Sequence, residues 1–130
     1  MKPFDYFAPT TLDEAVALLG EGDAKVLAGG TDLIVQMREH VRQPSRVIDI
    51  KKITGLDDLS YDSRQGLRIG ALATTRQVET SAVVARHYAS LARAVTDFAS
   101  VQVRHRATVV GNVCRASPSA DTLPPLVADG

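Results

Sequence analysis

Residues 28–33, AGGTDL, place two glycines and two polar residues between an apolar segment and a predicted helix. Glycines after a strand let the backbone turn tightly and let a ligand approach the amide groups closely. A helix that begins there presents unpaired N–H groups and the positive end of its dipole, and both favour a phosphate group. The pattern therefore indicates a phosphate-binding turn. A plain strand-to-helix turn would use the same residue types, and local chemistry alone does not favour one over the other.

A second stretch, RATVVGNVCRASPSADTLPP at residues 106–125, is also rich in turn-forming and polar residues. We interpret the valines of TVVGN as a short strand that Gly111 interrupts, because β-branched residues favour strands. Asn112 tolerates unusual backbone angles and supplies an amide donor and acceptor, while Thr108 supplies a hydroxyl. These side chains could bind the polar groups of a nucleotide.

Asp121 lies in the same stretch, and its carboxylate could accept hydrogen bonds from sugar or polyol hydroxyls. The alternative is a structural role in a final helix, with Ser117 as the N-cap and Pro118 at the first helical position. The dipole of that helix would stabilise an acidic side chain in its first turn. Taken alone, the residues favour the structural role.

Three basic residues, Arg104, His105 and Arg106, lie just before the TVVGN segment. They could attract a diphosphate, but we favour a solvated basic rim.

Neither glycine stretch matches the common nucleotide-binding motifs. The nearest approach to the dinucleotide fingerprint G-x-G-x-x-G is GEGDAK, which lacks the third glycine and precedes a strand instead of following one. The phosphate-loop pattern G-x-x-x-x-G-K-S/T is also missing. A standard nucleotide-binding fold is therefore not predicted.

The composition limits the classes of partner and the compartment. The 130 residues include 15 Lys and Arg and 15 Asp and Glu, so there is no basic surplus for binding nucleic acid. No apolar run is long enough for a membrane span, and the N-terminus lacks the apolar core of a secretory signal. Cys114, the single cysteine, cannot form an intrachain disulfide or, alone, hold an iron–sulfur cluster or zinc. We therefore expect a reducing cytoplasm and no metal site.

The first stretch belongs to a predicted α/β lobe, residues 1–54. The spacing of Thr11 and Glu14 is that of a capping box and predicts a helix over residues 12–19. Hydrophobic patterning then predicts a strand at 25–28, a helix at 31–40 and a strand at 45–50. Strands that alternate with helices indicate at least one parallel strand pair.

The second stretch belongs to a second predicted lobe, residues 55–130. It begins with a hairpin whose turn is near residues 63–66, followed by a helix capped by Thr74 and Gln77. A long helix is predicted over residues 83–99, with an apolar face formed by Val84, Tyr88, Leu91, Val95 and Phe98. An alternating, strand-like segment and the final helix from Pro118 complete the lobe.

AGGTDL and VRHRATVVGNVCRASPSADTLPPL together closely resemble two stretches of the FAD-binding subunit of the molybdenum hydroxylase family. This family includes xanthine dehydrogenase and aerobic carbon monoxide dehydrogenase. The opening FDYFAPTTLDEAVALL and the segments RVIDIKKITGLDDL and LRIGALAT are similar to the same family. The resemblance covers nearly the whole chain, with the motifs in the expected order.

The resemblance implies an α+β (mixed α/β) fold, the two-lobed FAD-binding domain of the vanillyl-alcohol oxidase-like (PCMH) type, with FAD between the lobes. Family members continue well past Gly130, so we expect an N-terminal portion that is truncated at the C-terminus. The turn that would wrap the FAD pyrophosphate comprises Ala28, Gly29, Gly30, Thr31, Asp32 and Leu33. The second stretch would contribute Thr108, Gly111 and Asn112 near the phosphates and ribityl chain, together with Asp121 and, at a flavin-side position, Arg115.

The resemblance also implies a redox function. Substrate would be oxidised at a molybdenum cofactor on a large subunit, and electrons would pass through iron–sulfur clusters on a small subunit to FAD and then to NAD or another acceptor. The reactive atoms belong to the cofactor, so no catalytic side chain is predicted. The alternatives are a non-redox fragment that acts only in subunit interaction and a stand-alone FAD oxidoreductase of the same fold.

Overall fold

The computed structural model describes residues 1–130 and divides them into two compact units, Met1–Leu56 and Asp57–Gly130. None of its helices combines the length and the apolar character that a membrane crossing requires.

The first unit is a three-stranded parallel sheet whose strands are connected by helices. In chain order its elements are β1 (Asp5–Phe7), α1 (Leu12–Leu19), β2 (Ala24–Leu27), α2 (Leu33–Arg38), β3 (Arg46–Asp49) and a 3₁₀ turn (Ile50–Lys52). The strand order is β1-β3-β2, so β3 is central and its Val47 and Ile48 are buried. In the register, Tyr6 pairs with Val47 and Val26 pairs with Ile48. The predicted parallel pairing is confirmed.

Helix α1 covers the predicted residues because its cap forms. The Thr11 side chain accepts a hydrogen bond from the N–H of Glu14. The Glu14 carboxylate accepts from the N–H of Thr10 rather than from that of Thr11, so only half of the predicted capping box is present.

Helix α2 is shorter than the predicted span of residues 31–40. It begins only at Leu33 because the chain is still turning at Gly30, where φ is +78°. It ends at Arg38, since His40 has a φ of +59° that no right-handed helix contains.

The second unit packs a hairpin against helices. The strands β4 (Leu59–Asp62) and β5 (Gly66–Ile69) pair antiparallel, as predicted. They are followed by α3 (Thr75–Glu79), α4 (Ala82–His87), α5 (Ala89–Asp97), α6 (Val101–Arg104), α7 (Val109–Arg115) and α8 (Leu123–Asp129). Thr74 and Gln77 form a complete capping box at the start of α3, which confirms that prediction.

The prediction of one long helix over residues 83–99 is wrong, because Tyr88 leaves helical geometry with φ −134° and ψ 58°. Its hydroxyl instead accepts a hydrogen bond from the N–H of Leu67 at 3.0 Å. Val84 of α4 and both Leu91 and Val95 of α5 nevertheless belong to one buried cluster. The apolar spacing thus identified Val84, Leu91 and Val95 as buried, but two helices share them and Phe98 lies outside the cluster.

The strand predicted over the valines of TVVGN is also wrong, because Val109 and Val110 begin helix α7 and the preceding Val101–Arg104 form helix α6. Ser100 caps α6 by accepting from the N–H of Val103, and Thr108 caps α7 by accepting from the N–H of Gly111. These local caps outweigh the strand preference of the valines.

The final helix begins at Leu123 rather than near Pro118. The Ser117 hydroxyl accepts from the N–H of Ser119 in a turn, so it caps no helix. Pro124 and Pro125 lie in the first turn of α8, where a missing N–H costs no helical hydrogen bond.

Replacing Leu91 with alanine should destabilise the second unit by about 2–5 kcal/mol, because Leu91 is 1% exposed in the buried cluster. Leu12→Ala is the matched control, since Leu12 is also helical but is 55% exposed, and we expect a change within about 0.5 kcal/mol. Chemical denaturation measures both. Equal losses for the two variants would contradict the assigned burial.

Candidate functional site

The glycine turn, residues 28–32, connects β2 directly to α2, as the sequence predicts. The carbonyl of Gly30 accepts from the N–H of Ile34 at 3.1 Å, and the carbonyl of Asp32 accepts from that of Gln36 at 2.9 Å. The N–H groups of Gly30, Thr31, Asp32 and Leu33 donate to no other atom of the chain. Four consecutive donors are therefore available at this turn.

Gly30 has a positive φ and close side-chain neighbours. Its φ is +78°, and a Cβ at this position would lie 3.0 Å from Leu27 Cδ1 and 3.3 Å from Ile34 Cγ1. Gly29 and Ala28 lie beside it and are half-buried. The backbone angle therefore favours glycine at this position, and a larger side chain would also have to displace these neighbours.

A side-chain network that the sequence did not indicate lies behind the turn. Asp49, at the end of the central strand, accepts hydrogen bonds from the Tyr6 hydroxyl at 2.5 Å and the Lys51 ammonium at 2.7 Å. The same ammonium lies 3.4 Å from the carbonyl oxygen of Ala28. The network therefore links β1, β3 and the first residue of the glycine turn. The only sign of this network in the sequence is that the polar Asp49 follows the apolar Val47 and Ile48 at the end of β3.

Asp49 should stabilise the fold at neutral pH and lose that effect in acid. Burial alone would raise the pKa of Asp49, but the hydrogen bonds from Lys51 and Tyr6 and the Lys51 charge outweigh burial and lower the pKa. A pKa that is lower in the folded than in the unfolded chain gives stability above about pH 4, and this is lost as the pH falls through the folded-state value. Asp49→Asn should therefore cost more stability at about pH 7 than at about pH 3. Urea denaturation at both pH values measures this, and an equal cost at both would contradict it.

In the second stretch, Thr108 and Gly111 form the start of α7. The Thr108 hydroxyl accepts from the N–H of Gly111 at 3.0 Å, and a Cβ at Gly111 would lie only 2.6 Å from that hydroxyl oxygen. Gly111 is thus an exposed residue inside a helix, not a strand breaker. Glycine is needed there because any side chain would displace the cap.

Asn112 is held by a partner that the sequence did not indicate. Its Oδ1 accepts from the hydroxyl of Thr122 at 2.6 Å, and Thr122 is fully buried. The amide nitrogen of Asn112 forms no hydrogen bond within the chain. This one bond fixes the orientation of the amide and connects α7 to the start of α8.

The starts of α3 and α7 lie side by side. Thr74 and Thr108 form an antiparallel bridge, and the N–H of Thr75 donates to the carbonyl of Ala107 at 2.8 Å. The structure thus brings Thr74 next to a predicted site residue. The only signal in the sequence is that the pair Ala-Thr precedes both helices.

Arg115 and Asp121 are both exposed. Arg115 is the last residue of α7, and the chain leaves the helix at Ala116, which has a φ of +53°. Asp121 lies just before Thr122, the N-cap of α8, so its predicted place in the first turn of a helix is wrong. Neither side chain forms an ion pair or hydrogen bond within the chain. Both are therefore free to contact a ligand.

The predicted basic rim is wrong for Arg104, which is only 7% exposed. Its guanidinium donates to Glu79 and to two backbone carbonyls. His105 and Arg106 are exposed as predicted.

Comparisons with known proteins show the family to which the chain is similar. The family described as the FAD binding domain in molybdopterin dehydrogenase matches residues 2–130. The nicotinate dehydrogenase FAD-subunit of Eubacterium barkeri is 36% identical over 93% of this chain and 42% of its own length. The carbon monoxide dehydrogenase medium chain of Hydrogenophaga pseudoflava is 37% identical over 91% of this chain and 42% of its own length.

Solved structures extend the similarity to the fold. Carbon monoxide dehydrogenase from Hydrogenophaga pseudoflava aligns with a TM-score of 0.85 and 37% identity over 94% of this chain and 44% of the other. Quinoline 2-oxidoreductase from Pseudomonas putida aligns with a TM-score of 0.86 and 29% identity over 94% of this chain and 44% of the other. The expected mixed α/β fold is confirmed. The chain spans less than half of the length of these relatives, 42–44%.

Proposed function

Since this chain belongs to the family of FAD-binding domains in molybdopterin dehydrogenases, we propose that it binds FAD as part of a molybdenum-containing hydroxylase or dehydrogenase. The observation that carries the proposal is the glycine turn. Its free N–H groups, Gly30 to Leu33, are donors of the kind that bind a pyrophosphate, and the φ of +78° at Gly30 favours glycine there. Ala28, Gly29 and Thr31 complete the turn around the phosphates.

Residues of the second stretch bind other parts of FAD in this proposal. The Thr108 cap and Gly111 present the start of α7 to the phosphates and ribityl chain, and the free amide nitrogen of Asn112 donates to them. Asp121 accepts hydrogen bonds from hydroxyl groups of the cofactor, because its carboxylate has no partner within the chain. Arg115 lies at the flavin side.

When bound, FAD would supply the redox chemistry, because a flavin can exchange electrons one or two at a time. The chain's own residues bind and orient the cofactor, and none of them is assigned a catalytic role. In the assembly that we propose, electrons would arrive from iron–sulfur clusters on a small subunit after substrate oxidation on a large, molybdenum-containing subunit. They would leave to NAD or another acceptor. A cytoplasmic location fits the exposed, unpaired thiol of Cys114.

The proposal is tested by purifying the protein, recording its visible absorption spectrum and identifying the released flavin by chromatography. We expect FAD in near-stoichiometric amount, or its uptake when FAD is added. A protein that is folded by circular dichroism but remains colourless after incubation with FAD would overturn the proposal.

A further inference from the structure

Arg104 is the most deeply buried basic residue of the chain. The proposed function gives it no role. Its Nε donates to Glu79 Oε2 at 3.0 Å, and its Nη1 donates to the carbonyls of Phe98 and Ala99 at 2.7 and 2.9 Å. The guanidinium therefore joins the end of α3 to the turn that follows α5. A planar group with several donors suits such a site, whereas a lysine could not reproduce the geometry.

The backbone of Arg104 binds the other end of α3. Its carbonyl accepts from the hydroxyl of Thr75 at 3.1 Å, and Thr75 is fully buried. The N–H of Thr75 donates to the carbonyl of Ala107 at 2.8 Å. Arg104 thus contacts α3 at Glu79 through its side chain and at Thr75 through its backbone.

These contacts lie close in the chain to the start of α7. Only three residues separate Arg104 from Thr108, and the last of them, Ala107, donates its N–H to the carbonyl of Val103 at 2.7 Å. A connection this short and this well bonded transmits the position of Arg104 to the Thr108 cap and, through the cap, to Gly111.

We propose that Arg104 is a positioning residue for FAD, which holds the start of α7 against α3 so that Thr108 and Gly111 are already in place for the cofactor. The proposal rests on the proposed function. Placing a binding group in advance raises affinity because less conformational freedom is lost on binding.

The ion pair between Arg104 and Glu79 can be weakened without leaving the Glu79 carboxylate unpaired. Glu79 Oε2 also accepts from Arg76 at 2.8 Å, and the hydrogen bonds from Arg76 and Arg104 keep the pKa of Glu79 below its usual value. In Arg104→Lys, Glu79 would keep its Arg76 partner and a cation at position 104. The contacts to Phe98 and Ala99 would be lost, because one ammonium cannot replace the guanidinium at all three acceptors.

A second variant alters the contact between α3 and the backbone of Arg104. Thr75→Val removes the hydroxyl that donates to the Arg104 carbonyl and nearly preserves the shape of the side chain. Its matched control is Thr96→Val, because the Thr96 hydroxyl also donates to a backbone carbonyl, that of Ala92 at 2.9 Å, but is exposed. The control for Arg104→Lys is Arg93→Lys, whose guanidinium is 84% exposed beside Asp97.

The experiment measures the Kd for FAD by titration at a temperature where each variant is folded, the Tm, and the ³¹P chemical shifts of the bound pyrophosphate. We expect Thr75→Val and Arg104→Lys to raise the Kd about tenfold and to move the ³¹P signals, and the two controls to do neither. If Arg104→Lys does not fold, Thr75→Val decides the result.

Two outcomes would contradict the proposed role of Arg104, and FAD binding by the unaltered protein distinguishes them. If the unaltered protein binds FAD and the variants match their controls in Kd and ³¹P shift, Arg104 is purely structural even where the Tm falls. If the unaltered, folded protein binds no FAD, the proposed function fails, and this inference fails with it.

Discussion

Replacing Gly30 with valine should lower the affinity for FAD by about tenfold or more. The φ of +78° is unfavourable for a β-branched residue, and even a Cβ would meet Leu27 and Ile34 at 3.0 and 3.3 Å. The turn must therefore move, and its free N–H groups would no longer point where the phosphates bind. Titration with FAD, followed by flavin fluorescence, measures the change.

Gly22→Val is the control for backbone strain alone. Gly22 has a φ of +84°, but a Cβ there would meet nothing within 4 Å, and the residue lies outside the glycine turn. We expect this variant to lose some stability and to keep its affinity for FAD. A Gly30→Val protein with full FAD content, or a Gly22→Val protein with an equal loss, would show that the turn does not bind the pyrophosphate.

Replacing Asp121 with alanine should weaken FAD binding by about tenfold or more while leaving the fold unchanged, because a hydrogen bond to a charged group contributes about 1.5–3 kcal/mol. Asp121 is exposed and has no partner within the chain, so its loss should change the free energy of unfolding by no more than about 0.5 kcal/mol. FAD titration and denaturant unfolding are measured on the same preparation.

Asp129→Ala removes the same charge from the exposed end of α8 and serves as the control. The expected pattern is a higher Kd for FAD with Asp121→Ala only. If both variants bind FAD as the unaltered protein does, the carboxylate of Asp121 makes no contact with the cofactor. If flavin is lost only as the Asp121→Ala protein unfolds, its role is structural.

The sequence predicts the first unit better than the second, because residues within each turn and helix cap of the first unit mark where its elements begin and end. In the first unit, polar and glycine-rich turns separate short apolar segments, and Thr11 marks the start of α1. In the second unit, the same apolar pattern fits either one helix or two, and the break at Tyr88, whose hydroxyl accepts from the distant N–H of Leu67, leaves no mark in that pattern. The valines beside Thr108 favour a strand until the threonine caps a helix.

In the candidate site, the sequence predicts the motif residues but not the side chains that support them. The motif residues themselves, from Ala28 to Asp121, could be named from the sequence and its resemblance, and their individual contacts with FAD stay predictions. Their supporting partners could not be named, because the partners are distant in the sequence. Lys51 lies 23 residues from Ala28, and Arg104 lies 25 residues from Glu79. No periodicity or motif encodes such pairs.

The strand order of the first unit has a consequence for how the protein is made. The central strand β3 is the last of the three in the chain, so β1 and β2 have no strand partner until Arg46–Asp49 has been synthesised. The sheet of this unit can therefore form only after the chain has been extended through β3, well beyond the glycine turn. A nascent chain that stops before residue 46 would hold every residue of the turn but no strand pair to support it.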